Sequence, residues 1–224
     1  MRLFEHPNLL RSLDEGAVGP VPYLVVEFCA YGDLEAIVAR YGGRLPAWVA
    51  VRIATQILDG LQPIHARGWV HGDIKPGNVF VTLEGGNVRV KLADLGLSHS
   101  FEKGGQTCMP RPLYSTCVGR PDYVSPEQAR DFTHVQPTSD VWSVGATLYF
   151  MLCGAPPRDC PDGVEMWAAV LSGTVVPLSV RLKGRPSDAP SSLMDVVARA
   201  LEAVPGQEFP SAWALREALQ DAMA

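Results

Sequence analysis

The sequence has no Cys-x-x-Cys pair, no apolar run long enough for a bilayer and no basic stripe. Its five cysteines, Cys29, Cys108, Cys117, Cys153 and Cys160, are odd in number and scattered. With no secretory signal read at the start, they are expected to be reduced thiols in a cytoplasmic protein, forming neither a disulfide frame nor a zinc site. The most apolar stretch, Val141 to Ala155, contains Ser143, Thr147 and two glycines, so it reads as a buried core helix and no membrane segment is expected. A formal net charge of −5 argues against broad binding to nucleic acid or to an anionic membrane. What is present is an ordinary globular composition. The 224 residues are 47% hydrophobic, enough to bury one domain or one large and one small lobe.

The chain opens without a capped start, and His6-Pro7-Asn8 interrupts it at once. Leu9 to Leu13 and Tyr23 to Phe28 read as two strands, with Glu15 to Pro22 as a loop between them. Asp33 is placed to cap a short helix ending near Arg40. From Pro46 to about Ala66, Val49, Ile53, Ile57, Leu61 and Ile64 recur at three- and four-residue steps, which predicts a long amphipathic helix. Two β-branched runs, Val79 to Thr82 and Val88 to Leu92, flank Gly85-Gly86-Asn87 and predict a hairpin. Ser98 to Gly119 lacks apolar periodicity and reads as a long exposed loop. Helices are expected at Pro126 to Arg130, Val141 to Leu152, Val164 to Ser172, Leu193 to Ala203 and Ser211 to Ala222, with Pro177 to Pro190 as a polar linker. The order is a few strands, a hairpin, then a helical half, which is an α+β arrangement.

The stretch His71-Gly72-Asp73-Ile74-Lys75-Pro76-Gly77-Asn78 concentrates the chemistry. Pro76 and Gly77 forbid a regular helix. A carboxylate, an ammonium and a carboxamide at i, i+2 and i+5 suit a loop that touches a hydroxyl, a phosphate and a metal together. Taken alone, the same residues are equally an Asx-rich surface turn. Downstream spacing separates the two readings. Asp94-Leu95-Gly96 ends a strand sixteen residues after Asn78, and Ser125-Pro126-Glu127 and Ser139-Asp140-Val141-Trp142-Ser143-Val144-Gly145 follow in order.

This series resembles the eukaryotic-like protein kinase family from its hinge to its last helix. Gly119 to Ala129 is most similar to the bacterial Ser/Thr branch, and Lys75 favours Ser/Thr over Tyr kinases. The resemblance implies the protein-kinase fold: residues 1–31 as a remnant of the first lobe plus the hinge, and residues 32–224 as the helical lobe. It also implies ATP and Mg²⁺ as cofactors and a protein as substrate. Asp73 would orient the substrate hydroxyl and accept its proton, and Lys75 would neutralise the transferring phosphoryl. Asn78 and Asp94 would hold Mg²⁺, with Gly96 allowing the turn after Asp94. Glu27 and Cys29 would offer backbone groups to the adenine, Val26 and Phe80 would pack on it, and Asp33 would contact the ribose. Asp140 is expected to hold the His71 loop, and His71 to be a packing residue. Trp142 is expected in the core, and the remaining histidines have no partner pattern.

Several positions depart from the family pattern. Its Gly-rich loop, strand Lys and first-lobe Glu would all precede Met1, which implies that residues 1–224 alone are impaired as a kinase. A pseudokinase or a truncated protein-docking module is the alternative. Gly72 replaces an Arg that pairs with a phosphorylated activation loop, so that mode of switching is not expected, and Ser115 and Thr116 read as surface hydroxyls before they read as phosphosites. Arg120 replaces a Thr that bonds the catalytic Asp and Lys, and its guanidinium would either pair with Asp73 and block it or point outward to a substrate or partner. Glu208 replaces the Arg that pairs with the Glu of the Pro-Glu motif, here Glu127, leaving Arg199 or Arg216 as substitute cations.

Overall fold

The computed structural model describes residues 4–95, 99–100, 106–107, 121–131, 135–159, 166–172, 174–184, 187–204 and 206–224. Its centre is a pair of long helices, α2 (Ala47–His65) and α4 (Pro137–Cys153). On α2 the residues at the predicted spacing turn inward, and Ile57, Leu58, Leu61 and Ile64 are fully buried. Each such aliphatic side chain contributes roughly 1.5–3 kcal/mol on leaving water. Helix α4 is buried on almost every face from Ser139 to Cys153, which is why its sequence shows little amphipathic pattern. Pro137 starts it, a Gln136/Ser139 capping box closes its first turn, and Gly154 ends it in the left-handed conformation at φ 79°. A Cβ on Gly145 would lie 2.8 Å from the Ala200 Cβ, so the close approach of α4 and α7 (Ser191–Ala200) depends on glycine there. Helix α8 (Ala212–Asp221) packs against α2 and α4 and completes the core.

The strands lie at one end of this bundle. β1 (Ser12–Val18) and β2 (Val21–Val26) form an antiparallel hairpin. Asp33 then caps α1 (Leu34–Arg40), accepting from the Ala36 N–H at 2.8 Å. After α2 come the short β3 (Trp69–Val70), the 3-10 turn Pro76–Asn78 and the hairpin β4 (Val79–Glu84) and β5 (Asn87–Leu92). β3 pairs with β6 (His99–Ser100), which pairs with β7 (Gln106–Thr107). The short helix α3 (Pro126–Arg130) precedes α4, and α5 (Met166–Ser172) and α6 (Leu178–Arg181) precede α7.

Two sequence expectations are corrected. The stretch Glu15 to Pro22 is mostly strand: the hairpin turns tightly at Gly19, φ 60°, and β1 begins at Ser12. Leu9 instead makes a parallel bridge to Leu92, and the Asn8 side chain bonds the Val90 carbonyl and Gln56. Gly60 of α2 lets that segment come close, since a Cβ there would stand 3.0 Å from the Asn8 carbonyl. The presumed linker Pro177 to Pro190 contains α6, whose Leu178 reaches the core. Most of the expected long loop from Ser98 to Gly119 lies outside the described residues.

Candidate active site

The loop at residues 71–78 is suspended from α4 by one buried carboxylate. Asp140, 1% exposed, accepts the His71 N–H at 2.8 Å and the Gly72 N–H at 2.9 Å, and His65 Nε2 lies 2.7 Å from its Oδ2. Burial alone would raise the Asp140 pKa. The hydrogen bond and charge of His65, with His71 and the Gly72 N–H, outweigh it and hold the carboxyl below its ordinary value. Gly72 has φ 80°, a backbone a glycine adopts without strain. Its carbonyl accepts from Gln128 Nε2 at 2.6 Å, which ties the loop to α3 as well.

Both ring nitrogens of the fully buried His71 are engaged. Nδ1 accepts from the Asp73 N–H at 3.3 Å, and Nε2 lies 2.9 Å from the Ala93 carbonyl, which fixes the proton on Nε2. His71 is therefore a bracing group with no nitrogen left to act as a base. From this frame Asp73, Lys75 and Asn78 converge. Lys75 Nζ lies 2.9 and 2.7 Å from the two carboxylate oxygens of Asp73. Asn78 Nδ2 donates to the Asp73 carbonyl and to Asp73 Oδ2, each at 2.8 Å, so its Oδ1 points elsewhere. The Ala93 N–H bonds the Asn78 carbonyl at 2.8 Å and brings Asp94 alongside. Asp94 is exposed and has φ 64°, a left-handed conformation that costs a non-glycine residue about 1–2 kcal/mol.

The hinge candidates gather at the other end of the loop. An isolated bridge joins Asp33 to Phe80, while the Tyr31 N–H donates to the Val81 carbonyl at 3.2 Å and the Val81 N–H to that of Gly32 at 3.0 Å. Cys29, Asp33 and Phe80 are partly buried, and Val26 ends the exposed β2. Among the described residues no group accepts the Cys29 N–H. Burial, then the charge of Glu27, raises the Cys29 thiol pKa. The Glu27 side chain faces away from this cluster, 3.2 Å from Lys91 and bonded to the Arg11 N–H. Beside it, Phe4, His6, Leu9, Arg11, Glu84 and Lys91 line a cavity of about 770 Å³, which none of the other candidate residues shares.

Three residues of the frame were not expected from sequence. In the sequence His65 has no partner pattern, Gln128 follows the Pro-Glu motif without a signal of its own, and Arg158 follows Pro156-Pro157 with no signal at all. The substitute cations proposed for Glu127 are corrected: Arg199 stacks on Phe209 at 4.3 Å, and Arg216 bonds Asp59 at 2.7 Å. Glu127 instead accepts from Ser139 Oγ at 2.9 Å. Gly96, Ser115, Thr116 and Arg120 lie outside the described residues. No described helix is long and apolar enough to cross a membrane.

Comparison with known proteins agrees with this arrangement. The chain is 34% identical over 233 residues to the serine/threonine-protein kinase Pkn1 of Myxococcus xanthus, covering all of this chain and 31% of that protein. It is 36% identical over 174 residues to the serine/threonine protein kinase OSK3 of Oryza sativa subsp. indica, covering 77% of this chain and 32% of that one. It thus spans about a third of the length of these relatives. Among solved structures, the Rad53 kinase domain and SCD2 in complex with AMPPNP superposes with a TM-score of 0.71 at 25% identity, over 97% of this chain and 73% of that one. A family profile described as the protein kinase domain matches residues 1–209, and with the fold and motif order this places the chain in the protein kinase family.

Proposed function

We propose that the chain is part of a cytoplasmic serine/threonine protein kinase domain that transfers the γ-phosphoryl of ATP to a protein hydroxyl. Residues 1–31 form the first-lobe part and hinge, and residues 32–224 the helical lobe. The observation that carries this reading is the convergence of Asp73, Lys75 and Asn78 on one loop held by Asp140. Asp73 is the group that orients the substrate hydroxyl and takes its proton, and Lys75 shifts its ammonium from the Asp73 carboxylate to the transferring phosphoryl. Because Asn78 Nδ2 is committed to Asp73, its Oδ1 is the free donor, a hard oxygen of the kind Mg²⁺ prefers. Asn78 and Asp94 would hold Mg²⁺, which neutralises phosphate charge when bound. No cluster of three or more His, Cys, Asp or Glu able to hold a metal is found among the described residues, so Asn78 and Asp94 would hold the ion only together with oxygens from outside the chain.

The Cys29 N–H, unpaired among the described residues, and the backbone of Glu27 would face the adenine edge, with Val26 behind the base and Phe80 as its floor. Asp33 uses one carboxylate oxygen on the α1 cap and keeps the other for the ribose. Incubating the longest natural form of the protein with ATP, Mg²⁺ and a protein acceptor tests the reading. Phosphoserine or phosphothreonine is expected, and Asp73→Asn should lower the rate by two orders of magnitude or more. Transfer that survives Asp73→Asn sinks the assignment. ATP is also expected to slow alkylation of Cys29. A non-catalytic docking module is the second reading, favoured by the apolar surface that the β1–β2 hairpin leaves exposed.

A further inference from the structure

Arg158 is one of the least expected residues in the core. It sits in the segment after α4 with 2% of its surface exposed, and its guanidinium lies 4.1 Å above the ring of Trp142, itself buried in α4. Nη1 donates to the Val124 carbonyl at 2.8 Å, while Nε and Nη2 are buried and find no acceptor among the described residues. A buried cation with two unsatisfied donors is costly unless negative charge stands near it. Burial lowers the Arg158 pKa to about 10, and the charges that oppose this fall are Asp122, in the turn before α3, and Glu127, in the first turn of α3. At neutral pH the guanidinium therefore remains charged. Position 208 carries a carboxylate and therefore supplies no cation to Glu127, and its buried Oε2 finds no donor among the described residues.

We infer that Arg158 is a positioning residue for the catalytic loop, clamping the 121–130 segment, with its carboxylates Asp122 and Glu127, between Trp142 and the loop. The mechanical link is on the same segment. Arg158 holds the Val124 carbonyl, and four residues later Gln128 holds the Gly72 carbonyl beside Asp73. The stack on Trp142 fixes the plane of the guanidinium and keeps Nη1 on the Val124 carbonyl.

An unfolding cycle over Arg158→Met and Glu127→Gln in the full chain tests this without any catalytic assay, so it stands or falls separately from the kinase reading. Arg158→Met is expected to raise the unfolding constant about a hundredfold in the parent and tenfold or less when Glu127 is already Gln. Equal factors in both backgrounds would reduce Arg158 to a packing residue and overturn the inference. If Arg158→Met does not fold, Arg158→Lys decides: it keeps the charge but not the planar stack, and should show stronger coupling to Glu127 than to a Gln. A Lys variant indifferent to residue 127 overturns the inference. A further arm rests on the kinase reading. At a temperature where all variants are folded, Arg158→Met should lower phosphoryl transfer and Arg158→Lys should restore part of it.

Discussion

The loop at residues 71–78 and the β1–β2 hairpin with its hinge serve opposite ends of the proposed reaction and are held in opposite ways. The loop hangs from α4 through Asp140, is braced by His71 and Gln128, and stands against a core in which Leu58, Leu61 and Ile64 lose all contact with water. The hairpin has no buried residue from Ser12 to Val26, and Leu13, Val18, Val21, Tyr23, Leu24 and Val25 all face solvent in part. The half of the site that would handle the hydroxyl and the moving phosphate is thus set by the helical core. The half that would grip the adenosine rests on a two-stranded ribbon, a unit marginal by itself in water. Preorganisation, on which phosphoryl transfer mostly depends, is concentrated on one side.

The largest test of this asymmetry is Asp140→Asn. The substitution keeps the shape but turns a carboxylate that serves three groups into an amide able to satisfy fewer of them, leaving buried donors next to His71 and Gly72. A loss of about 3–5 kcal/mol is expected from urea unfolding at pH 7. The acid limb gives the same residue a second signature. Because the folded carboxyl is held below its ordinary 3.8, its contribution is complete above that pH and disappears as pH falls through the folded value. The wild-type protein should therefore lose more stability than Asp140→Asn below about pH 4, and the two should converge. Parallel acid limbs would mean that the loop does not depend on this charge.

A smaller effect is expected at the far end of the same helix. Gly154 combines φ 79° with a Cβ position that would collide with the Gly43 carbonyl oxygen, so Gly154→Ala meets both backbone strain and a backbone clash. A loss of about 1–3 kcal/mol and a lower melting temperature are expected. An unchanged melting temperature would show that the end of α4 can slide away from Gly43 and that the helix is less tightly seated than the loop it carries.

Much of this was legible in the sequence because each element carried its own local signal. The 3.6-residue spacing along α2, the Gly85-Gly86 turn and the Asp33 cap were each enough to place an element, and the order of polar motifs placed Asp73, Lys75 and Asn78 on one loop. Partners that depend on tertiary contact left no such trace. His65 meets Asp140 across 75 positions, Gln128 reaches Gly72 across 56, and Arg158 reaches Val124 across 34. An arginine after two prolines reads as solvent-facing until Trp142 is seen beneath it. The hairpin hides its strands for a different reason: Gly16, Gly19 and the prolines at 20 and 22 look like a loop, yet a tight turn at Gly19 lets the strands run through most of them.

The smallest effect expected lies in the hairpin and completes the contrast. Leu24 is 51% exposed and belongs to a strand with no buried residue, so Leu24→Ser removes a side chain that contributes little to the folded state. The unfolding free energy should stay within about 0.5 kcal/mol of the parent. Solubility should rise, because an aliphatic strand open on its faces invites association. Leu58, fully buried, provides the control: Leu58→Ala should cost about 2–5 kcal/mol in the same experiment. If Leu24→Ser costs as much as Leu58→Ala, the hairpin is part of one cooperative unit with the core, and the nucleotide side of the site is as firmly organised as the loop.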